Sequence, residues 1–329
     1  MAGAPSADQV PPASPRPAQT QAGLAGVAGR LPGPVFAVLD GGHFDDLPAA
    51  LAGVGLGARS LFLGDGGRDE QRFGPWLLAV QRPEDVAAVL ALVGDLPAVV
   101  FWSCAEGEVA LYGHLRKLNR ARLPVWAAAG KDGPEPGVDA DRGWEAVLFR
   151  HWDPSVLGAL LPVLDEGQFS RILGPAGEVA FFAEDYGGAK RVVADPEWPI
   201  APAGMLTIRP EQVEALTERR VEASRRRIAA YLRDVAGEGL AGASERDLHE
   251  HVLHSEATGK ELGLMTEAGQ CRWAYMMYAT HGEAARKPEI TEYIKSSSNT
   301  PDSQLELVMG ESIRHLTRTQ AQVRSGVGL

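Results

Sequence analysis

The chain is short of cysteine, of positive charge and of long apolar runs, and each shortage excludes something. Its two cysteines, Cys104 and Cys271, lie far apart in 329 residues. They supply neither a disulfide framework nor a zinc ribbon, which suits a reducing compartment. Acidic residues outnumber basic ones, 43 to 32, and the formal charge is −11. That balance argues against nucleic acid as a partner, because a protein that grips a phosphate backbone carries a positive footprint. No apolar run is long enough to span a bilayer, so no membrane partner is expected. The N-terminus lacks the basic segment and apolar core of a signal peptide. From these readings the protein is expected in the cytoplasm.

Chemical motifs are scarce too. There is no G-x-x-x-x-G-K-[ST], and no G-x-G-x-x-G follows a strand and opens a helix. Gly53-x-Gly55-x-Gly57 comes after a helix and lacks the third element. Ser103-Cys104 with His114 has the residue types of a nucleophile and a base. No G-x-S-x-G elbow presents them, and a small Cys after a strand reads as core. His249, His251 and His254 fall on one helical stretch, but Leu253 stands where H-E-x-x-H would need histidine. They read as surface histidines rather than zinc ligands. The expectation is therefore no catalytic residue, no metal site and no cofactor.

The remaining composition is that of a globular protein, 45% hydrophobic and 23% charged. The length allows two domains. The stretch Ala146-Val147-Leu148-Phe149-Arg150-His151-Trp152-Asp153-Pro154 organises the first. It starts as a strand and ends as a helix start. Asp153 can cap the first turn, and Pro154 suits the first helical position. A stripe of Val156, Leu157, Leu160, Leu161 and Leu164 follows, and Gly174-Pro175 closes the unit.

Apolar runs predict strands at 35–39, 59–63, 75–80, 98–102 and 178–182. Helices are predicted at 44–51, from Pro83, and over 106–118. A Gly/Pro/Asp-rich loop is predicted over 130–143. Strands alternating with helices give an α/β lobe, a sheet flanked by helices, over residues 31–182. Asp40-Gly41-Gly42-His43 reads as a strand-ending turn in which glycine supplies positive φ. Residues 1–30, rich in Pro, Ala, Gly and Gln, read as a disordered tail. Residues 183–207, with Gly187-Gly188, Pro196, Pro199 and Pro202, read as a linker. Residues 208–329 read as an all-α lobe, with helices starting at Pro210, Ser244, Thr266, Pro288 and Thr300. Its first helix carries Arg219-Arg220 and Arg225-Arg226-Arg227, read as a solvated face with Glu222 paired to Arg226. Met265, Met276, Met277, Trp273 and Tyr275 read as a soft apolar cluster.

Several segments of the first lobe together resemble a known family. They are Ala37-Val38-Leu39-Asp40-Gly41, Ala58-Arg59-Ser60-Leu61-Phe62-Leu63-Gly64, Gly74-Pro75-Trp76-Leu77, Phe101-Trp102-Ser103, His114-Leu115-Arg116, and Phe149 to Pro154 running on through Leu164 to Gly174-Pro175. In this order they resemble the type VI secretion effector adaptors, or effector chaperones. The helical lobe is similar to that family's variable C-terminal region through Ala257-x-x-x-x-Leu262-Gly263-Leu264-Met265-Thr266. The resemblance implies a non-catalytic protein that binds the N-terminal region of a cognate effector toxin and helps load it onto the VgrG spike. It implies no catalytic residues to carry over. The shared residues Asp40, Gly74, Pro75, Trp102, Arg150, Trp152, Asp153, Pro154, Gly174 and Pro175 read as structural. The competing reading is an enzyme with a site at the strand ends near Asp40, Ser103 and Arg150.

Overall fold

The computed structural model describes residues 17–62, 68–128, 143–240, 242–295 and 299–310. The chain divides into two compact units, residues 15–220 and a second running from Val221 onward. The loop predicted over 130–143 lies almost wholly outside the described residues.

In chain order the first unit runs α1 (Pro17–Ala28), β1 (Val35–Asp40), α2 (Leu47–Gly53), β2 (Arg59–Ser60), α3 (Arg68–Phe73), β3 (Pro75–Val80), α4 (Pro83–Val93), β4 (Val99–Ser103) and α5 (Glu108–Leu118). It continues with β5 (Arg120–Pro124), α6 (Val125–Ala128), β6 (Trp144–Leu148), α7 (Pro154–Leu160), α8 (Glu166–Leu173), β7 (Glu178–Ala183), β8 (Gly188–Val193) and β9 (Leu206–Thr207). Six strands form one sheet in the order β2-β3-β1-β4-β7-β8, every neighbouring pair antiparallel.

Alternation of side chains along each strand divides the core. Phe36, Val38, Val100, Trp102, Val179 and Phe181 pack with residues of α5, α7 and α8. Ala37, Leu39, Phe101 and Ala180 pack with residues of α1, α2 and α4. Both faces are covered, which is why β1, β3, β4 and β7 read as continuous apolar runs. This is the α/β lobe the sequence predicts, built on an antiparallel sheet.

Three expectations are corrected. Residues 17–28 of the supposed tail form α1, with Leu24 and Ala28 buried. The supposed linker carries β8, paired along its length with β7, and β9. The stripe from 154 to 164 is not one helix. A 3-10 turn at Leu161–Val163 ends α7, and Asp165 caps a new helix, α8, by accepting the Gln168 N–H. The organising strand, β6, lies outside the main sheet. It pairs antiparallel with β5, which pairs parallel with β9.

The helix α9 (Pro210–Ala236) leads into the second unit, which holds α10 (Glu245–Glu261), α11 (Glu267–Ala279) and α12 (Pro288–Lys295). Residues 301–310 are helical as well. Ser244 caps α10 in a capping box with Asp247, and Thr266 caps α11. The second unit is helical, as the periodicity predicts. Trp273 and Met277 are buried against Leu262, Leu264 and Ile294, so that part of the methionine cluster is core. Met265 is exposed. Among the described residues, no helix is long and apolar enough to cross a membrane.

Candidate functional site

The polar cluster of the first unit forms where β1 ends. Asp40 is the last residue of β1 and 2% exposed. One carboxylate oxygen, Oδ1, accepts the Gly42 N–H at 3.0 Å and so caps a 3-10 turn at Gly41–His43. The other, Oδ2, accepts from Arg150 Nη2 at 2.5 Å. Arg150 also lies 3.5 Å from Asp153 Oδ2, and His43 Nε2 lies 3.8 Å from Asp40 Oδ2. Asp153 caps α7 as predicted, its Oδ1 accepting Ser155 N–H at 2.8 Å and Val156 N–H at 3.3 Å. A buried carboxylate stays in an apolar fold only when its lone pairs are met, and here both carboxylates are met by the backbone and one guanidinium.

Gly41 is required here by crowding, not by positive φ. A Cβ on it would stand 2.3 Å from the Arg72 carbonyl oxygen and 2.7 Å from that of Gly74. Its N–H donates to Gly74 O at 2.9 Å, and Pro75 sits opposite Asp40 in the β1–β3 register. Asp40, Gly74, Pro75, Arg150, Asp153 and Pro154 therefore meet at one end of β1.

Ser103 does not join them. It pairs with Val35, at the opposite end of β1, five residues from Asp40 or about 17 Å at strand rise. Its hydroxyl donates to Pro32 O at 2.5 Å. Cys104 is buried, its thiol pushed up by burial, and Sγ donates to Pro175 O at 3.4 Å. His114 Nε2–H donates to Ile172 O at 2.8 Å, and burial holds its pKa down. Each of these groups ties two chain segments together.

Beneath the cluster lies a buried aromatic group. Trp152 packs edge-on to Phe62 and to His151, with ring centroids 5.6 and 5.1 Å away. Trp102 is fully buried beside His151. The His151 ring pairs with Asn119 Oδ1 at 2.9 Å, while Asn119 Nδ2 donates to Leu61 O at 3.2 Å. The amide orientation makes Nε2 the protonated nitrogen of His151. Among the described residues Nδ1 has no hydrogen-bond partner, so a second proton there would be a buried unpaired charge. Burial accordingly drives the His151 pKa down to about 3.

Residues 35–171 match the family of the domain of unknown function DUF4123. No curated protein and no solved structure matches the chain. The DUF4123 region takes in Asp40, Gly74, Pro75, Trp102 and 150–154, and stops just short of Gly174-Pro175. Those two lie against the same region. Gly174 has φ +57, and a Cβ on it would come within 2.3 Å of the His114 ring.

Sequence reasoning passed over two groups. Asn119 had no signal, since a lone Asn at a helix end has many uses. Gln168 and Gln212, both buried, exchange amide hydrogen bonds of 2.8 and 2.6 Å, and Gln212 Nε2 donates to Val163 O. The D-x-x-Q spacing from Asp165 was the available sign of that capping box.

In the second unit His251 Nε2–H donates to Ala274 O at 2.9 Å. Among the described residues no group of three or more His, Cys, Asp and Glu is placed to hold a metal. The arginine run is divided. Arg219, in the first unit, donates to Ala159 O at 3.0 Å. Arg225 pairs with Glu256 at 2.6 Å and Arg227 with Glu267 at 2.5 Å. Glu222 pairs with Arg225, at 3.7 Å, while Arg226 Nε donates to the Glu222 carbonyl at 3.4 Å and, among the described residues, not to its carboxylate. Cys271 is buried, its thiol raised to about 12 by burial.

Proposed function

We propose that this chain is a non-catalytic adaptor of type VI secretion. It binds the N-terminal region of a cognate effector toxin in the cytoplasm of the producing cell and helps load that effector onto the VgrG spike. The carrying observation is the family match over residues 35–171, joined to the ordered residues that resemble effector adaptors. Its fit with the geometry supports the reading. The polar groups of Asp40, Arg150, Asp153, Ser103 and His114 are all engaged in capping or in joining segments. That is the use expected of residues shared for the fold while the partner varies.

The test is co-purification of the chain with an effector encoded beside it, followed by secretion assays. A stable complex and loss of effector secretion on deletion are expected. An effector that loads and is secreted normally without this protein sinks the proposal.

A further inference from the structure

The strand β8 closes the main sheet on one side, and its outer edge can be phased. Asp40 N–H donates to Ala98 O and Cys104 N–H to Pro34 O, so the even-numbered residues of β1 face β4. Carried through the registers Phe101 to Ala180 and Phe181 to Lys190, the alternation turns Gly188, Lys190 and Val192 toward β7. The backbone N–H and C=O groups of Ala189, Arg191 and Val193 therefore point away from the sheet. Among the described residues no strand pairs with this side of β8, and an open edge of this kind is a template for another strand, which proteins usually blunt with charge, proline or a cover. Arg191 does not guard it freely, because Glu178 holds its guanidinium at 2.6 Å.

A cleft of about 430 Å³ adjoins this edge. Leu161, Tyr186, Lys190, Val192, Trp198 and Arg219 are among its walls. Trp198 is fixed by stacking on Phe169 at 5.2 Å, and Arg219 lies over the Tyr186 ring at 5.8 Å. Of the charged residues lining the cleft, Arg191 is already paired with Glu178, and the other two, Lys190 and Arg219, are both cationic, in a chain whose net charge is −11. Beside it, Val193 is 49% exposed, and Ile200, on the loop that carries Trp198, is 96% exposed.

We infer that β8 and this cleft form a strand-addition site for an extended acidic segment of a partner protein. The segment bonds main chain to main chain along β8 and sets apolar side chains, at alternate positions, into the aromatic cleft. Charge complementarity selects an acidic segment over a basic one. The adaptor reading enters only in naming the protein that supplies the segment, the effector's N-terminal region.

The probe is a short synthetic peptide alternating valine and glutamate, titrated onto the full chain. Binding should slow amide exchange at Ala189, Arg191 and Val193. Replacing its glutamates with lysines, or introducing Lys190→Glu in the protein, should weaken binding by about tenfold or more. Val193→Pro removes one outward donor and should weaken binding without lowering the melting temperature much, since an edge tolerates proline. Methylating the peptide on alternate nitrogens should abolish binding in one phase and spare it in the other, with the protein unaltered. No binding, equal binding of acidic and basic peptides, or equal binding of both methylated phases overturns the site.

Co-purification of the full-length effector separates this inference from the adaptor reading. An effector held equally by wild type, Lys190→Glu and Val193→Pro overturns β8 as its site while the adaptor reading stands. An effector held by none of them, with the peptide results as expected, overturns the adaptor reading and upholds the site.

Discussion

Gly94 and Gly174 share a backbone conformation, φ +57, but not their surroundings. A Cβ on Gly94 meets nothing within 4 Å, whereas one on Gly174 meets the His114 ring. Gly94→Ala should cost roughly 1–3 kcal/mol, the conformational penalty alone, because its ψ of −122° lies outside the left-handed helical region. Gly174→Ala should cost roughly 1–3 kcal/mol more through overpacking, as urea midpoints would show. At Asp153 only a side-chain oxygen is needed for the cap. Asp153→Ala should lose about 1 kcal/mol, and Asp153→Asn or Ser much less, with effector binding kept by all three once folded. A well-folded Asp153→Asn protein that fails to bind would make the carboxylate a contact instead. Trp152→Ala should lose roughly 3–5 kcal/mol, because the ring is 2% exposed. Asp153-Pro154 was legible in the sequence because capping is local. The Asp40–Arg150 pair was not, since partners 110 positions apart leave no local pattern.

Among the elements, β1, β3, β4 and β7 were legible for one reason: a strand buried on both faces is apolar at every position. The strand β5 broke that rule. Arg120 and Arg122 are exposed on it, so Arg120–Pro124 showed no apolar run. The edge strand β8 was hidden the same way by Lys190 and Arg191, and by the Gly187-Gly188 turn, where both φ values are positive. Composition that looked like a linker was a hairpin turn followed by an edge. The helices of the second unit were legible because their caps, Ser244 and Thr266, stand directly before periodic apolar residues. Hydrogen exchange of the free protein tests the description of β8. Amides of Lys190 and Val192 should exchange slowly, and those of Ala189, Arg191 and Val193 quickly. Uniform protection of all five would mean the edge is covered.

For the molecule as a whole, acid is the expected weakness. The pKa of His151 falls from an ordinary 6.5 to about 3 on folding. The unfolded chain therefore binds the extra proton first as pH falls. The stability tied to neutral His151 is complete above pH 6.5 and is lost as pH drops toward 3. Within that window this one group removes roughly 1.4 kcal/mol per pH unit. His114, shifted in the same direction, adds to the fall. Denaturation midpoints measured through the window should drop steeply. His151→Phe should be less stable at neutral pH, having stranded Asn119 Oδ1, yet show a flatter decline. An equally steep decline in that variant would assign the acid sensitivity elsewhere.

The strand order also sets a sequence of events during synthesis. The first strand made, β1, is not an edge. The strands β2 and β3 then build one flank, and β4, β7 and β8 are laid on the other in the order the ribosome delivers them. On that flank every arriving strand finds its neighbour already translated. The sheet can grow outward from its own beginning, one antiparallel addition at a time, and β8 is its last addition, because β9, made later, pairs with β5 in the other sheet. A guest strand at that edge would be the next addition in the series, continued by another polypeptide.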